Sequence, residues 1–309
     1  MVQVNAPVAV VSGGGRGIGR AVALALAGAG HAVCVNDTGV ALDGSAPGPR
    51  PAQEVAQEIT AGGGHAMAST TDARTRASAE QVVAEIAEWA GQVPTIFVHA
   101  AGTLRDAMVH RATDDDWSEV LGSHLGVAIE LTRAIAPAVR QERFGRIVYL
   151  GGAAGLVGSV GQASYAVAKA GLFGLTRAVA LEMAGRDVCV NYVAPFAFTR
   201  MTESIPPVTD ELRNYLASAP LATPSDIAPF IAWLCSAEAA GVSGQVFGAR
   251  GAEISLWCQP RPVEQVVDTA GWNRTTVAGA GRAGLEPHFT PLESEFELFG
   301  TPPVAVARA

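Results

Sequence analysis

With 309 residues, 49% hydrophobic and 16% charged, the chain has the composition of a folded globular protein and is long enough for one large core. A formal net charge of -8 and a pI near 5.3 exclude polyanion binding by bulk electrostatics, so nucleic acid is not an expected partner. Cys34, Cys189, Cys235 and Cys258 have no CxxC spacing and the six histidines no ligand spacing, which predicts reduced, mostly buried thiols and no metal site.

In chain order, short β-branched runs predict strands at 8 to 12, 32 to 36, 65 to 69, 95 to 99, 146 to 150, 188 to 193 and 245 to 248. Stretches of helical period lie between them, at 17 to 29, 51 to 61, 76 to 91, 114 to 142, 162 to 184 and 224 to 236. This alternation predicts an α/β protein, a doubly wound parallel sheet of seven strands (a Rossmann fold), in one domain over 1–257. Two segments break the rhythm: a long Gly/Pro loop at 38 to 50, and 258–309, expected to be an irregular C-terminal extension. There is no basic leader before the first strand and no run of about 18 apolar residues, so a cytoplasmic protein away from membranes is expected.

The first strand runs into "SGGGRGIGR", where Gly13, Gly17 and Gly19 allow a tight turn and close approach to a pyrophosphate at a helix N-terminus, with Arg16 and Ile18 between them. Asp37 ends the second strand and suits the ribose hydroxyls of an adenosine while repelling a 2′-phosphate. NAD is therefore the expected cofactor, with NADP kept open by Arg16. Asp72 is placed either to meet the adenine edge or to cap the helix that follows.

At the other end of the chemistry, Tyr165 and Lys169 are spaced i, i+4 and share a helix face. An ammonium beside a phenol favours the phenolate and draws its pKa down toward the working range, which suits proton exchange with a ketone or alcohol while hydride moves to or from nicotinamide.

The glycine turn, Asp37, "HAAG" at 99 to 102, "GQASYAVAKAG" around Tyr165 and "NYVAP" at 191 to 195 together resemble the short-chain dehydrogenase/reductase family over residues 5 to 256. The phrases "VNDTG", "GTLRDAMV", "DDDWSEVLGSHLG" and "TRMT" are most similar to the subgroup containing the dehydrogenase domain of the peroxisomal multifunctional β-oxidation enzyme and bacterial relatives. The resemblance implies a bulky apolar small-molecule substrate (acyl-CoA, steroid or polyketide-like) and a homo-oligomer, dimer or tetramer, or a heteromer with another family member. It also implies cofactor contacts at Ala101, Gly102, Pro195 and Thr199. Against the family pattern, Gly152 stands where a Ser donates to the substrate oxygen; His124 stands where an Asn usually holds a water on the proton path, as in the subgroup just named, which implies a catalytic His124 that relays protons itself. His99 and Ala100 lose the Asn that braces the sheet, and Phe196 replaces a Gly. Ser159 and Ser164 are nearby in sequence. Three readings follow: an oxidoreductase with an altered site, a non-catalytic or weakly catalytic subunit beside an active paralogue, and a repurposed site for isomerisation, dehydration or cyclisation.

Overall fold

A computed structural model describes the protein at residues 6–40, 50–203, 205, 210–299 and 301–307. The first half runs β1 (Val8–Ser12), α1 (Gly17–Gly28), β2 (Ala32–Asn36), α2 (Pro51–Ala61), β3 (Ala66–Ser69), α3 (Arg76–Ala90) and β4 (Ile96–His99). The second continues with α4 (Asp114–Leu121), a π-helical turn (Gly122–Gly126), α5 (Val127–Glu142), β5 (Phe144–Leu150), α6 (Ala154–Val157) and α7 (Ala163–Glu182). Then come β6 (Asp187–Phe196), α8 (Arg200–Glu203), α9 (Asp210–Ser218), α10 (Pro224–Leu234), β7 (Val246–Arg250) and β8 (Glu253–Leu256).

The sheet order is β3-β2-β1-β4-β5-β6-β7-β8. Winding reverses between β1 and β4, and the cleft beyond the carboxyl ends of strands at such a switch point is where ligands bind in open α/β sheets. The expected seven-stranded parallel sheet forms, with one correction: β8 adds an eighth strand, antiparallel to β7. Gly251, at φ +56, makes the tight reversal possible. β8 is a short edge strand with Ile254 and Leu256 exposed, so it lacks the apolar run that marks the buried strands.

Alternate residues of each strand feed two separate cores. Val8 and Val10 of β1, Phe97 of β4 and Ile147 and Tyr149 of β5 pack under α3, α5 and α7. Ala9, Val11, Ile96, Val98, Val148 and Leu150 pack on the opposite face, under α1, α2 and α10. The period of two along a strand buried on both faces explains why every residue of β1 and β2 is buried.

The helix expected at 114 to 142 is interrupted by the π-turn, which Val127 N–H closes onto Gly122 O. The loop expected at 38 to 50 falls, over 41–49, outside the described residues. By contacts the chain divides into two units, residues 1–257 with 294–309, and residues 258–293. The second unit contains α11 (Arg274–Ala280), capped by Asn273. The returning segment of the first unit carries α12 (Glu295–Leu298), capped by Ser294. All four cysteines are free thiols, Cys258 exposed and the others buried. Among the described residues, no helix is long and apolar enough to cross a membrane.

Candidate active site

The carboxyl ends of β1, β2, β4, β5 and β6 border one cleft of about 460 Å³, a volume suited to a cofactor or small ligand. The folded chain brings together all the site residues expected from sequence. Gly13, Arg16, Gly17, Ile18, Gly19, Asp37 and Asp72 line the cleft, as do Ala101, Gly102, Pro195 and Thr199, and so do His124, Gly152, Tyr165 and Lys169.

At the glycine turn, the missing side chains have separate causes. Gly13 has φ +70, and a Cβ on it would lie 2.5 Å from Ala101 N; a Cβ on Gly19 would overlap the Gly13 carbonyl oxygen. Gly17, at φ +52, would instead project its Cβ toward Thr199, with Cγ2 at 3.5 Å, so its bareness widens the cleft. No side chain caps the N-terminus of α1, which leaves leading N–H groups for an anion. Asp37 is pinned beside this turn, accepting from Gly15 N–H at 3.0 Å and Gly39 N–H at 2.8 Å. Arg16 donates to Val40 O at 3.1 Å. Asp72 pairs with Arg74 at 3.2 Å, while α3 is capped by Thr75 and Ser78. This bare helix end, with a carboxylate fixed at the end of β2, fits a dinucleotide.

At the reacting end, Lys169 Nζ donates to Leu150 O at 2.7 Å and lies 5.3 Å from the Tyr165 ring centroid. Burial pulls the Lys169 pKa down to about 7. The Tyr165 phenol differs from the sequence expectation: burial first, then the Glu295 charge, push its pKa well above the usual value rather than below it. Lys169 stands near the ring, but burial of the phenol outweighs that neighbour. His124 is buried, held neutral by burial first and Lys169 second. Its Nε2–H donates to Thr103 O at 2.9 Å, since a carbonyl can only accept. Nδ1 is then an acceptor, and it meets no partner among the described residues. The imidazole stands edge-to-face with Tyr165, centroids 5.2 Å apart, and a Cβ on Gly102 would overlap it.

The two glycines after β5 answer to different tyrosines. A Cβ on Gly151 would fall inside the Tyr192 ring. The Tyr192 hydroxyl accepts from Gly152 N–H at 2.9 Å and donates to Gly152 O at 2.8 Å, fixing that peptide. A Cβ on Gly152 would stand 3.0 Å from the Tyr165 hydroxyl. The brace between β1 and β4, expected to be lost, is supplied differently: His99 Nδ1 and Ser12 Oγ bond at 2.8 Å. Burial, followed by the Lys169 charge, keeps His99 neutral, with its pKa lowered to about 3.

The returning segment closes the remaining side. Glu295, Phe296 and Phe299 line the cleft. Glu295 Oε2 accepts from Ala154 N–H at 3.0 Å, and Phe296 packs edge-on against Tyr215, centroids 4.8 Å apart.

A family model described as enoyl-(acyl carrier protein) reductase matches residues 13–251. A putative short-chain type dehydrogenase/reductase of Mycobacterium tuberculosis is 36% identical over 93% of this chain and 100% of its own. The chain belongs to the short-chain dehydrogenase/reductase family. A hydroxyacyl-CoA dehydrogenase of Mycobacterium tuberculosis is 35% identical to this short-chain dehydrogenase/reductase over 92% of the chain and 91% of its own. The mouse peroxisomal multifunctional enzyme type 2 is 35% identical over 74% of this chain and 29% of its own, in line with the expected subgroup. A crystal structure of a short chain dehydrogenase from Mycobacterium avium superimposes with a TM-score of 0.78 at 32% identity, covering 93% of this chain and 97% of that one.

Within this short-chain dehydrogenase/reductase, neither Ser159 nor Ser164 lines the cleft; Ser164 is buried one position before Tyr165 on α7. Sequence reasoning missed Tyr192, Tyr215, Glu295, Phe296 and Phe299. One signal was present: Ser294 and Glu297 spell a capping box, which announces a helix start but not where that helix docks.

Proposed function

We propose that this oxidoreductase is NAD-linked and interconverts a ketone and a secondary alcohol on a bulky apolar substrate of the oxoacyl or hydroxyacyl thioester kind. One observation carries the reading: the bare glycine turn and the Tyr165–Lys169 pair line a single cleft. That juxtaposition favours hydride transfer over a non-catalytic subunit or an isomerase, neither of which needs both ends. The name of the mycobacterial hydroxyacyl-CoA relative and the wall formed by Phe196, Met201, Ile205, Tyr215, Phe296 and Phe299 support the substrate class.

Gly13, Gly17 and Gly19 would hold the pyrophosphate, Asp37 the adenosine ribose and Thr199 the carboxamide. When bound, nicotinamide supplies or accepts hydride. Tyr165, whose burial keeps it a phenol, gives its proton to the substrate oxygen during reduction and takes it back during oxidation. Lys169 is anchored at Leu150 O and holds a positive charge below about pH 7. Neutral His124, edge-to-face with the phenol and with Nδ1 as an acceptor, suits a proton relay through the imidazole itself. A reducing, cytoplasmic setting and self-association along α7, where Val167 and Leu181 stand exposed, belong to the same reading. The test is loss of reduced-nicotinamide absorbance on adding acetoacetyl-CoA.

Two predictions follow from the same residues. NADH is expected to bind at least tenfold tighter than NADPH, because a phosphate near Asp37 meets a like charge, and two unit charges 4 Å apart interact by about 1 to 4 kcal/mol between water and a protein surface. Fluorescence titration of each cofactor checks this, and comparable affinities would mean that Arg16 or Arg200 outweighs the carboxylate. Gly152→Ser is expected to lower turnover of a bulky ketone. The new Cβ sits 3.0 Å from the Tyr165 hydroxyl and 3.4 Å from its Cε1, and overpacking of this kind costs about 1–3 kcal/mol. A rate gain in the steady-state assay would show that the site lacks only a hydroxyl.

A further inference from the structure

Gly152 leaves the substrate oxygen without the side-chain donor that stands at this position elsewhere in the family, and a different part of the chain enters the same cleft. Residues 294–299 bring a carboxyl, Glu295, into the cleft that Tyr165 and Gly152 line. It is anchored in two ways to the segment following β5. Its Oε2 accepts from Ala154 N–H at 3.0 Å, two residues beyond Gly152, and its own N–H donates to Gly158 O at 3.2 Å. The anchor is itself held. Phe296 is wedged on Tyr215, and Tyr215 on Phe196 at the end of β6, with centroids 4.8 Å apart in both pairs. Farther along, Arg250 donates to Thr301 O at 2.8 Å, and Ala252 N–H to Val304 O at 2.9 Å. A buried carboxyl placed by this many contacts in the cleft that holds the reacting phenol is an expensive feature for mere packing.

We propose that Glu295, in its protonated form, donates a hydrogen bond to the substrate oxygen and is a specificity-determining catalytic residue that takes the place left bare by Gly152. This rests on the oxidoreductase reading above. Oε2 accepts from Ala154 N–H, which leaves Oε1 to carry the proton in this assignment. No net proton leaves Glu295: hydride adds to the carbonyl carbon, Tyr165 transfers the proton to oxygen, and Glu295 polarises the carbonyl throughout. Burial, the largest cause, raises the Glu295 pKa to about 7, opposed by the Ala154 N–H and then the Ser159 hydroxyl, and reinforced by Asp106. Asp106 precedes α4 and is itself raised by burial. The other titratable groups around the carboxyl are Tyr165 on α7, Tyr192 on β6 and Tyr215 on α9, each pushed upward by burial with Glu295 adding to the shift. Below about pH 7 the carboxyl is thus a donor; above it the donor is lost and a charge repels the developing oxyanion.

The experiment compares the unaltered protein with Glu295→Gln, Glu295→Ala and Tyr165→Phe, all full length, in reduction of acetoacetyl-CoA across pH, with melting temperature as a folding control. Glu295→Gln keeps an acceptor for Ala154 and a donor for the substrate but cannot titrate. It is expected to stay active and to show a shallower fall in kcat above neutrality, one proton rather than two, because Lys169 still titrates. Glu295→Ala is expected to lose kcat on the order of 100- to 1000-fold, the scale of one deleted oxyanion donor, with a smaller change in KM. A pH profile for Glu295→Gln superimposable on that of the unaltered protein, or Glu295→Ala within a few-fold in kcat, overturns the proposal while leaving the reductase reading intact. An unaltered protein without turnover, or a Tyr165→Phe variant as active as it, overturns both.

Discussion

Tyr165→Phe is expected to abolish hydride-linked turnover, by 100- to 10,000-fold, the range general acid catalysis commands, while the variant stays folded and still binds nicotinamide cofactor. The phenylalanine occupies the same buried volume beside His124 and Lys169, so packing is nearly conserved. The cofactor end, at Gly13 to Gly19 and Asp37, is unaffected. What disappears is the Tyr165 hydroxyl, which stands 3.0 Å from where a Cβ on Gly152 would lie. Stopped-flow measurement of the hydride step, with a parallel melting curve and cofactor titration, separates chemistry from folding. Residual activity within a few-fold would mean that the proton comes from another group and that the oxidoreductase mechanism must be redrawn.

Gly151→Ala is expected to destabilise the fold by about 3 kcal/mol or more. Overpacking alone costs up to about 3 kcal/mol, and displacement of Tyr192 strands the Gly152 peptide, adding about 1–3 kcal/mol for a buried group left unpaired. At the usual conversion for a chain above 150 residues, a loss of 3 kcal/mol lowers the melting temperature by roughly 6–12 °C. Displacing Tyr192 is costly in itself, since it is fully buried and packs edge-on against Phe173 with centroids 6.3 Å apart. Tyr192→Ala alone opens a cavity, at about 3–5 kcal/mol if it behaves like other large aromatic truncations. Combined with Gly151→Ala it is expected to cost much less than the sum, because the added methyl occupies vacated space. A melting temperature for Gly151→Ala within a degree or two of the unaltered protein, measured by calorimetry, would show that the ring has another place to go.

Much of this architecture was readable because it is local. A run such as "VAVVS" needs only burial on both faces to become β1, and the glycine turn and the i, i+4 spacing of Tyr165 and Lys169 are fixed by backbone geometry over a few residues. What escaped depends on distant partners. β8 is a strand because β7 offers it an edge, and Glu295 belongs to the site because Ala154 N–H receives it. Tyr192 reads as one more buried β6 residue until the missing side chain of Gly151 is seen beneath its ring. The direction of the Tyr165 pKa shift escaped for a related reason: adjacency to Lys169 is visible in the sequence, whereas the depth at which both are buried is not.

The π-turn at Gly122–Gly126 stores part of the site as a length rather than as a letter. A helix advances about 100° per residue, and closing a turn through Val127 N–H to Gly122 O accommodates one residue more than regular i, i+4 bonding would. Deleting Leu125 or Gly126 would let the run close as an uninterrupted α-helix. Yet α5 is locked to the sheet through buried Leu131, Ile135 and Val139, so the rotation would have to be absorbed by α4 and by His124, carrying the imidazole away from Tyr165. A scan of substitutions through this segment would miss that dependence, because each variant preserves the residue count on which the alignment of helix and phenol relies.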